Sequence, residues 1–386
     1  MKIELNFQKL KETVLLIDKI ANKHLTLPVL SCILIEVKKN TATFKATNLD
    51  VGIEVSVPVK SNEDGVLAVP AGVLSSFVSQ IINDNQVTKL ETVSNNLYIT
   101  TSKSKGTIKT VPPEDFPSIP QVIDGQNFTL ASELFVKGLK SVWYSSSVSS
   151  VKPELSSVYI YNSENNLVFA ATDSFRLAER KIKTTAATHL SDILIPFKNI
   201  PDIIRVLENM GENTEIQLSK NLISFKARDI YLVSRLIDGV FPDYRQIIPK
   251  NYSTEAVLLK QDLINALKIS NIFSDKFNQI HLVIDPKAKI FEIQTKNNDV
   301  GENNTSVDAA LTGEVQNSFT KEVVLRTTIK EAIKKHVGID IPIENISPKN
   351  GIVTLKNISQ SARSAIFIKK QKILGELKEV GILDLR

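Results

Sequence analysis

The side chains that most often do chemistry in proteins are histidine, cysteine and paired carboxylates, and their spacing in this chain favours no catalytic centre. Four histidines occur, all far apart in the sequence: His24, His189, His281 and His336. None belongs to a metal-ligand spacing such as His-x-x-x-His, and the sequence has no glycine-rich phosphate loop. The single cysteine, Cys32, lies in an apolar run and is predicted to be a core thiol. The sequence therefore predicts a protein that is not an enzyme and needs no cofactor or metal.

One short stretch, residues 173–176, brings an acid, an aromatic ring and a guanidinium close together. An apolar run at 167–171 precedes it and an alternating run at 175–182 follows it, which is typical of a β-hairpin. Asp173 and Ser174 suit the turn because both side chains can bond their own backbone. The pattern suggests no nucleophile or base beside them. Taken alone, this segment is most simply a structural hairpin.

Composition and charge are those of a globular protein. The first five residues mix charged with apolar side chains, unlike a signal peptide, and no uncharged apolar run reaches the roughly 18 residues that a membrane span needs. We therefore expect a cytoplasmic protein. Residues 319–386 hold 13 Lys and Arg against 7 Asp and Glu, whereas the preceding 318 residues hold 34 against 35. The basic excess is confined to the C-terminal part, so the attraction of the body for nucleic acid depends on local charge placement.

The chain repeats a plan of a short strand followed by an amphipathic helix. These segments begin near residues 2, 126 and 254, and aligning Leu10, Leu134 and Leu263 gives spacings of 124 and 129 residues. A second strand and helix lies inside each repeat, and Pro70 and Pro196 stand at two of these helix entries, 126 residues apart. The spacing is that of a domain rather than of a solenoid unit.

Alternating runs between the helices predict half-buried antiparallel strands, so each half of a repeat has the order βαβββ. In the third repeat, we assign the second strand to residues 323–325 and the helix after it to 327–337. Phe-Pro elements at 113–117 and 241–245 mark the ends of the first two domains. The predicted divisions are domain 1 at 1–120, domain 2 at 121–250, a half-domain at 251–318 and a C-terminal segment at 319–386.

Six short motifs follow one another in residues 1–318. They are 26–30 (TLPVL), 46–50 (ATNLD), 69–71 (VPA), 114–117 (EDFP), 171–178 (ATDSFRLA) and 238–244 (DGVFPDY). In this order and near this spacing, they resemble the β sliding clamp family of bacterial DNA polymerase III. Each motif alone is weak, but together they are highly specific.

The resemblance implies an α+β, three-domain DNA-clamp fold in which each domain is a pair of βαβββ units, with helices inside and antiparallel sheets outside. It implies a homodimeric ring that encircles duplex DNA, has no catalytic centre and gives the replicative polymerase its processivity in DNA replication. The implied partners are duplex DNA, the DNA polymerase III alpha subunit, the clamp loader and other proteins with clamp-motif peptides, and no membrane. Such a ring must slide, so it should not read base edges or hold phosphates tightly.

The resemblance also implies a peptide-binding groove, walled by the hairpin around Asp173. The matching positions are Leu155, Thr172, Phe175, Leu177, Pro242, Gln246 and Ile247. The apolar members can form a slot, and Thr172 and Gln246 can orient a peptide backbone. Phe175 stands where many members have histidine, and Gln246 where many have arginine, so partner preference is expected to differ. Arg176 is expected to support the hairpin through Asp173 rather than to contact a ligand.

Residues that would face DNA are found mainly on the predicted inner helices. The candidates are Lys9, Lys11, Lys19, Lys137, Lys140 and Lys198, with His24 and Ser149 at positions where the family often has polar residues that contact DNA. For each lysine, an ordinary solvated helix face is an equally good interpretation.

The resemblance places the junction between two protomers at an apolar edge strand near Ile108, which packs against Ile272 and Phe273 of the other protomer. Both segments are apolar here. Ile108 is as well explained by the protomer's own core, whereas Phe273 is followed at once by a polar turn.

Residues 319–386 depart from the clamp pattern, because the Met-Pro-Met-like element that closes the peptide groove in the family is missing. Asn350-Gly351 predicts a hairpin turn. A helical apolar stripe with lysines on the opposite face follows, at Ala362, Ala365, Ile366, Ile373, Leu374 and Leu377. The order helix, strand, strand, basic helix is similar to that of the small domain of the DciA helicase-loader family.

Two interpretations of this tail remain open. In the one we favour, a basic nucleic-acid-binding or helicase-related module replaces the second half of domain 3, and the tail has a salt-sensitive affinity for DNA. In the other, the tail is a divergent clamp half-domain whose last strand is residues 365–369. The first interpretation includes an alternative function: a clamp-like fusion scaffold that closes no normal ring and binds DNA or a replication helicase through its basic C-terminal module.

Overall fold

A computed structural model describes residues 1–21, 27–81, 87–149, 151–184, 190–211, 214–249, 251–252, 254–275, 278–313, 317–349, 351–378 and 382–385. The chain forms two compact units, residues 1–243 and residues 244–386. The first unit contains two copies of the predicted repeat, and the second contains half a repeat followed by the C-terminal segment.

The first repeat has the predicted order in both halves. Its first half comprises β1 (Lys2–Asn6), α1 (Phe7–Ala21), β2 (Cys32–Lys38), β3 (Thr41–Thr47) and β4 (Val51–Pro58), followed by a short β5 (Lys60–Glu63). Its second half comprises β6 (Gly65–Pro70), α2 (Ala71–Gln80), β7 (Val87–Val93), β8 (Asn96–Thr100) and β9 (Lys105–Lys109). The strand changes to a helix at Asn6, whose Oδ1 accepts the backbone N–H of Lys9 at 3.1 Å and so caps α1. Cys32 is buried in β2, as predicted.

The second repeat has the same order. Its first half comprises β10 (Gln126–Leu130), α3 (Ser132–Val142), β11 (Ser157–Ser163), β12 (Asn166–Thr172) and β13 (Leu177–Lys183). Its second half comprises β14 (Ile193–Pro196), α4 (Ile200–Leu207), β15 (Thr214–Leu218), β16 (Leu222–Ala227) and β17 (Ile230–Arg235). Pro70 and Pro196 each end a strand directly before a helical segment, because proline lacks the N–H that would continue the ladder. The prediction of paired βαβββ units is confirmed.

The two halves of each repeat are joined by strand exchange. The first strand of one half pairs with the second strand of the other, which gives the pairs β1–β7, β6–β2, β10–β15 and β14–β11. The two helices of a repeat also pack on each other, α1 on α2 and α3 on α4, and α1 contacts α4. One hydrophobic core therefore runs between the helices and the sheets throughout the unit.

One sheet crosses from the first repeat into the second. Strand β17 pairs antiparallel with β4, so the eight described strands of this sheet have the order β10-β15-β16-β17-β4-β3-β2-β6. The connecting segment is fixed to the same sheet, because the Tyr231 hydroxyl donates to the carbonyl of Pro120 and accepts the N–H of Val122, both at 3.0 Å. An ion pair between Lys198 Nζ and Asp50 Oδ2, at 2.7 Å, also links the repeats.

The second unit begins with half a repeat: β18 (Glu255–Leu258), α5 (Lys260–Ile272), β19 (His281–Asp285), β20 (Ile290–Asn297), β21 (Gly301–Ser306) and β22 (Ala309–Thr312). Strand β18 pairs with β22 as β1 pairs with β5, and β19, β20 and β21 form a sheet in that order. A small core joins α5 to this sheet through Ala266, Phe291, Ile293 and Val307.

The C-terminal module, residues 317–385, has the predicted order and one further strand. It comprises α6 (Asn317–Val337), β23 (Ile346–Lys349), β24 (Ile352–Leu355), α7 (Gln360–Leu377) and β25 (Asp384–Leu385), which pairs parallel with β24. Ile366, Ile373 and Leu377 of the predicted apolar stripe are buried in a core of the module's own. Gly351, at φ +77°, lies in the turn of the β23–β24 hairpin, whereas Asn350 lies outside the described residues.

Two strand predictions for this region are wrong. Residues 323–325 belong to α6, and residues 365–369, which the divergent half-domain interpretation required as a strand, belong to α7. Residues 323–325 are two valines and a leucine, and so short an apolar run fits a strand and a buried helix equally well. The module therefore does not supply the second half of a clamp domain.

The core of the second repeat is packed so closely that one helical glycine is required. Phe135 lies edge-on to Phe169 and Phe225, with ring centroids 5.3 and 5.1 Å apart. A Cβ built on Gly138 of α3 would lie 2.4 Å from the Phe169 ring, well inside van der Waals contact. A side chain at position 138 must therefore displace a fully buried ring.

We expect Gly138→Ala to lower the free energy of unfolding by about 1–3 kcal/mol, because overpacking outweighs the helical preference of alanine. Urea unfolding followed by the fluorescence of Trp143, the only tryptophan, reports this repeat. Gly375→Ala in α7 is the matched control, since nothing lies within 4 Å of its Cβ position. The control should leave the Trp143 transition unchanged, and an unchanged midpoint for Gly138→Ala would contradict the packing argument.

Candidate functional site

The tip of the β12–β13 hairpin is held by a threonine at its base. Thr172 and Leu177 face each other as the last pair of the ladder. The Thr172 hydroxyl donates to the carbonyl of Arg176 at 2.8 Å and accepts the N–H of Ser174 at 3.2 Å. Thr172 is buried, so its hydroxyl closes the four-residue tip from within.

Asp173 fixes the rest of the tip. Its Oδ1 accepts the backbone N–H groups of Phe175 at 3.0 Å and Arg176 at 2.9 Å, and its Oδ2 accepts Arg176 Nε at 2.9 Å. Burial of the carboxyl opposes its ionisation, but the backbone hydrogen bonds from Arg176 and Phe175 and the Arg176 guanidinium outweigh it, so the pKa of Asp173 lies below its usual value. Arg176 supports the hairpin through Asp173, as predicted.

The rigid tip presents one apolar side chain to solvent. Phe175 is 98% exposed. The register of Tyr159 with Ala170 brings the start of β11 to the same end of the sheet as Thr172 and Leu177. Leu155, which precedes β11 and is buried, therefore lies at this end as well. Four of the predicted groove residues are thus brought to one end of the sheet.

The segment after β17 runs along the outer strand of this sheet. The N–H of Ile237 donates to the carbonyl of Leu194 in β14 at 2.9 Å, and the Phe241 ring stacks on Tyr159 with centroids 4.9 Å apart. Pro242, a predicted groove residue, follows Phe241 and is exposed. The stacked pair and Val240, which is 88% exposed, were not predicted as site residues. The one sequence signal for the exposure of Val240 was the Gly-Val-Phe-Pro run, since an apolar residue beside a glycine suits an exposed bend.

The two remaining groove candidates belong to the second compact unit. Gln246 and Ile247 lie in a 3-10 turn, Tyr244–Ile247, and Ile247 is exposed. Their membership of the groove remains a prediction.

The predicted DNA-facing lysines fall into two groups: four whose ammonium groups are bound by carbonyls or carboxylates, and two that are exposed. Lys11 Nζ donates to the carbonyls of Ile81 at 2.9 Å and Ser79 at 3.3 Å, so it caps the end of α2. Three others are ion-paired with carboxylates: Lys19 with Asp18, Lys140 with Glu208 and Lys198 with Asp50. Lys9 and Lys137 are exposed and form no ion pair with any residue that the structure describes. The helix layer therefore presents few uncompensated charges at these positions.

The other polar candidates give less information. Ser149 is exposed in the loop after α3, where its hydroxyl accepts the N–H of Val151 at 3.4 Å. His24 lies outside the described residues.

The candidate junction residues lie in strand β9 and at the end of helix α5. Strand β9 is the outer strand of the sheet β5-β1-β7-β8-β9, and Ile108 within it is buried in the core of the first unit. Ile272 ends α5 and is 65% exposed, and Phe273 is half-buried. Helix α5 packs against β21, which is an outer strand of its own sheet. What β9 offers a partner is therefore its backbone edge rather than the Ile108 side chain.

Helix α7 of the C-terminal module has a basic, partly apolar surface. Phe367 and Ile368 are exposed, Lys369 and Lys372 lie beside them, and Lys370 Nζ is 5.7 Å from the Phe367 ring centroid. Lys370 also pairs with Asp384 at 2.6 Å.

Repeated half-domains with exchanged strands, one helix layer and antiparallel sheets define a DNA-clamp fold. Solved structures with this fold include the DNA polymerase III beta subunit of Thermotoga maritima, with a TM-score of 0.73 and 24% identity over 81% of this chain and 85% of that one. They also include the Pseudomonas aeruginosa sliding clamp bound to griselimycin, with a TM-score of 0.74 and 23% identity over the same shares of the two chains.

Sequence comparison defines the family. The N-terminal domain of the DNA polymerase III beta subunit matches residues 1–120, and its central domain matches residues 129–243. The beta sliding clamp of Synechococcus elongatus is 28% identical over 323 residues, which are 81% of this chain and 85% of that protein. The Bacillus subtilis beta sliding clamp is 24% identical over 355 residues, covering 89% and 92%. The chain therefore belongs to the DNA polymerase III beta subunit family of bacterial sliding clamps.

Within the residues that the structure describes, no group of three or more His, Cys, Asp or Glu side chains has the geometry of a metal site. None of their helices combines the length and apolar character needed to cross a membrane.

We expect Asp173→Ala to loosen the hairpin tip at neutral pH and to raise the hydrogen-exchange rate of the Arg176 amide by about tenfold, because that amide loses its acceptor. In the wild type, the lowered pKa means that the stabilisation is complete above the usual pKa of about 4 and is lost as pH falls through the lowered value. NMR-detected exchange and titration of the Asp173 carboxyl measure both effects. Unchanged exchange in the variant would contradict this role of Asp173.

Proposed function

We propose that this DNA sliding clamp works as a homodimeric ring around duplex DNA, without catalysis of its own, and recruits replication proteins to the β12–β13 hairpin. The observation that carries the proposal is that the halves of a repeat exchange strands, and that one sheet continues from the first domain into the second through β4 and β17. A closed ring of such domains needs sheets that continue from one domain to the next in this way. Membership of the DNA polymerase III beta subunit family supports a cytoplasmic location.

Weak electrostatics suit a ring that slides. Tight phosphate contacts would pin the protein, since each neutralised phosphate adds to affinity and to its salt dependence. Four of the six candidate lysines are engaged by carboxylates or by a helix end, which leaves Lys9 and Lys137 as the stronger candidates for DNA contact. The ring would then stay on DNA because it encircles the duplex, with only a small attraction to the DNA backbone.

The strand pairing that joins the first two domains suggests how two protomers join. In the first unit, β4 is the last of the three successive strands of a first half, and it pairs with β17, the last strand of a second half. Strand β9 ends a second half and β21 ends the strand run of a first half, and both are outer strands of their described sheets. We propose that β9 of one protomer pairs with β21 of the other, with Ile272 and Phe273 beside this junction. Both edges lie outside the C-terminal module.

The hairpin suits short linear peptides. A rigid tip that holds Phe175 in solvent offers an apolar contact at little entropic cost, and Val240 is exposed as well. Peptides of the DNA polymerase III alpha subunit and of the clamp loader are the proposed ligands, with Leu155, Leu177 and Pro242 completing the slot. The C-terminal module remains a second proposed contact with DNA, because α7 combines lysines with exposed Phe367 and Ile368.

Ring closure is tested with DNA that has ends and DNA that has none. We expect a dimer in analytical ultracentrifugation that stays on nicked circular DNA after loading and leaves the same DNA once it is linearised. Ile272→Asp should give monomers that leave both, because it puts a charge into an apolar junction. Ile123→Asp, at another exposed isoleucine, is the control and should behave as the wild type. A wild-type monomer that leaves both DNAs equally would refute the ring.

The groove is tested with a fluorescent peptide copied from the clamp-binding segment of a DNA polymerase III alpha subunit. We expect Phe175→Ala to weaken binding at least tenfold, since buried aromatic anchors contribute most to such contacts. Its stability should not change, because the side chain is exposed. Leu49→Ala removes another exposed apolar side chain and should bind normally. Equal affinity of Phe175→Ala and the wild type would refute the groove.

A further inference from the structure

In the first half of a repeat, the second strand is covered in two ways: another strand pairs with its edge, and a helix packs on it. In the first repeat this strand is β2, which pairs with β6 along one edge and contacts α2. Ile33 and Ile35 in β2 are fully buried as a result. The strand and the helix that provide this cover, β6 and α2, are consecutive in the chain.

The corresponding strand of the third repeat, β19, has no such cover among the described residues. Ile284 of β19 faces Phe291 of β20 as Ile35 of β2 faces Phe44 of β3, so the two strands are equivalent by register. All five residues of β19 are exposed, including Leu282 at 52% and Ile284 at 37%. Strand β19 is also the outer strand of its described sheet.

The exposed side chains are a continuation of the core. Leu282 and Ile284 face Ile293 and Phe291 across the ladder, and residues directly opposite each other lie on the same side of a sheet. Ile293 and Phe291 are buried under α5. The core side of this sheet therefore extends beyond the area that α5 covers.

Helix α5 is also only sparsely buried. Only Ala266 and Ser270 are buried in it, although the equivalent helix α1 buries eight residues against α2 and the sheets. A cleft of about 470 Å³ follows α5 and is lined by Ile264, Leu267, Asn271 and Ile280, among others. Ile264, Leu267 and Asn271 are spaced to form one stripe of the helix, which is the kind of surface that a second helix covers.

Among the residues that the structure describes, neither the C-terminal module nor a second copy offers a spare strand and helix of this kind. Apolar residues of the module such as Ile333, Val353 and Ile373 are buried in its own core, and the exposed Phe367 and Ile368 lie among lysines on α7. The strand-and-helix segments of the first two repeats, β6–α2 and β14–α4, are already built into the core of the first unit. An exposed apolar edge of this type otherwise invites uncontrolled association.

We propose that the β19–α5 face binds a segment of a different polypeptide that completes the third domain from outside the chain. The segment would pair as an antiparallel strand with β19 and then lay an amphipathic helix over Leu282, Ile284 and the α5 cleft. Its chemistry follows from the elements that cover β2 and β11: alternating apolar residues, a proline, and a helix with one apolar stripe.

The test uses a defined probe, a fluorescent peptide with the sequence of residues 193–208, which combines such a strand and helix. We expect saturable binding to the full chain, and protection of the amides of residues 281–285 from hydrogen exchange. Leu282→Glu should weaken binding at least tenfold and Leu282→Ser should weaken it less. Val300→Glu, at an exposed apolar residue in the turn between β20 and β21, should bind the peptide as the wild type does. A scrambled peptide should not bind the wild type.

Three results would overturn the proposal. They are the lack of saturable binding, equal binding by Leu282→Glu and the wild type, and equal binding of the scrambled peptide. Sedimentation of Leu282→Glu separates this surface from the ring junction: the proposal expects an unchanged dimer that is retained on circular DNA. A monomeric Leu282→Glu would show that a second copy covers the face, which also overturns it.

Discussion

The structure depends on one constraint: a single βαβββ half cannot bury both its strand edges and its helix. In the first two repeats, each half solves this by giving its first strand to the sheet of the other half and packing its helix on the other helix. The core, the helix layer and the sheet that crosses the domains all follow from that exchange. Among the residues that the structure describes, the third repeat has one clamp half, and its exposed β19 and sparsely buried α5 illustrate the same constraint.

The proposed peptide site depends on a different feature, a fixed hairpin tip. A hairpin tip of four residues would normally be among the more mobile parts of a protein. Here one carboxylate and one buried hydroxyl bind three of the four backbone N–H groups of the tip and the carbonyl of Arg176, and Ser174 adopts a positive φ of +77° within this network. The network therefore holds the Phe175 side chain in solvent at a fixed position, where a partner can cover it.

Much of the fold could be predicted from the sequence because local patterns carried it. β1 and β10 begin at the predicted residues, 2 and 126, and Pro70 and Pro196 marked the changes from strand to helix. The segment 323–325 was assigned wrongly because a short apolar run has no period that separates a strand from a helix. Strand β25 was missed because two residues carry no pattern, and only their contact with β24 makes them a strand.

The candidate site was predicted less completely, for a physical reason. The hairpin and the link from Asp173 to Arg176 are local, so the residue types indicated them. The carboxylates that engage Lys140 and Lys198 lie far away in the sequence, so no pattern could reveal that these charges are compensated. The exposure of Leu282 was equally hidden, because an alternating strand looks the same whether or not its neighbour exists.

The continuous sheet through β4 and β17 has a mechanical consequence. An antiparallel ladder of five residue pairs, from Ile230–Val55 to Ser234–Val51, joins the first two domains by backbone hydrogen bonds. A load that pulls these domains apart would have to break that ladder together with the Lys198–Asp50 pair, so the joint resists bending. Any ring that admits DNA without free ends must open somewhere, and the compliance for opening has to come from outside this joint.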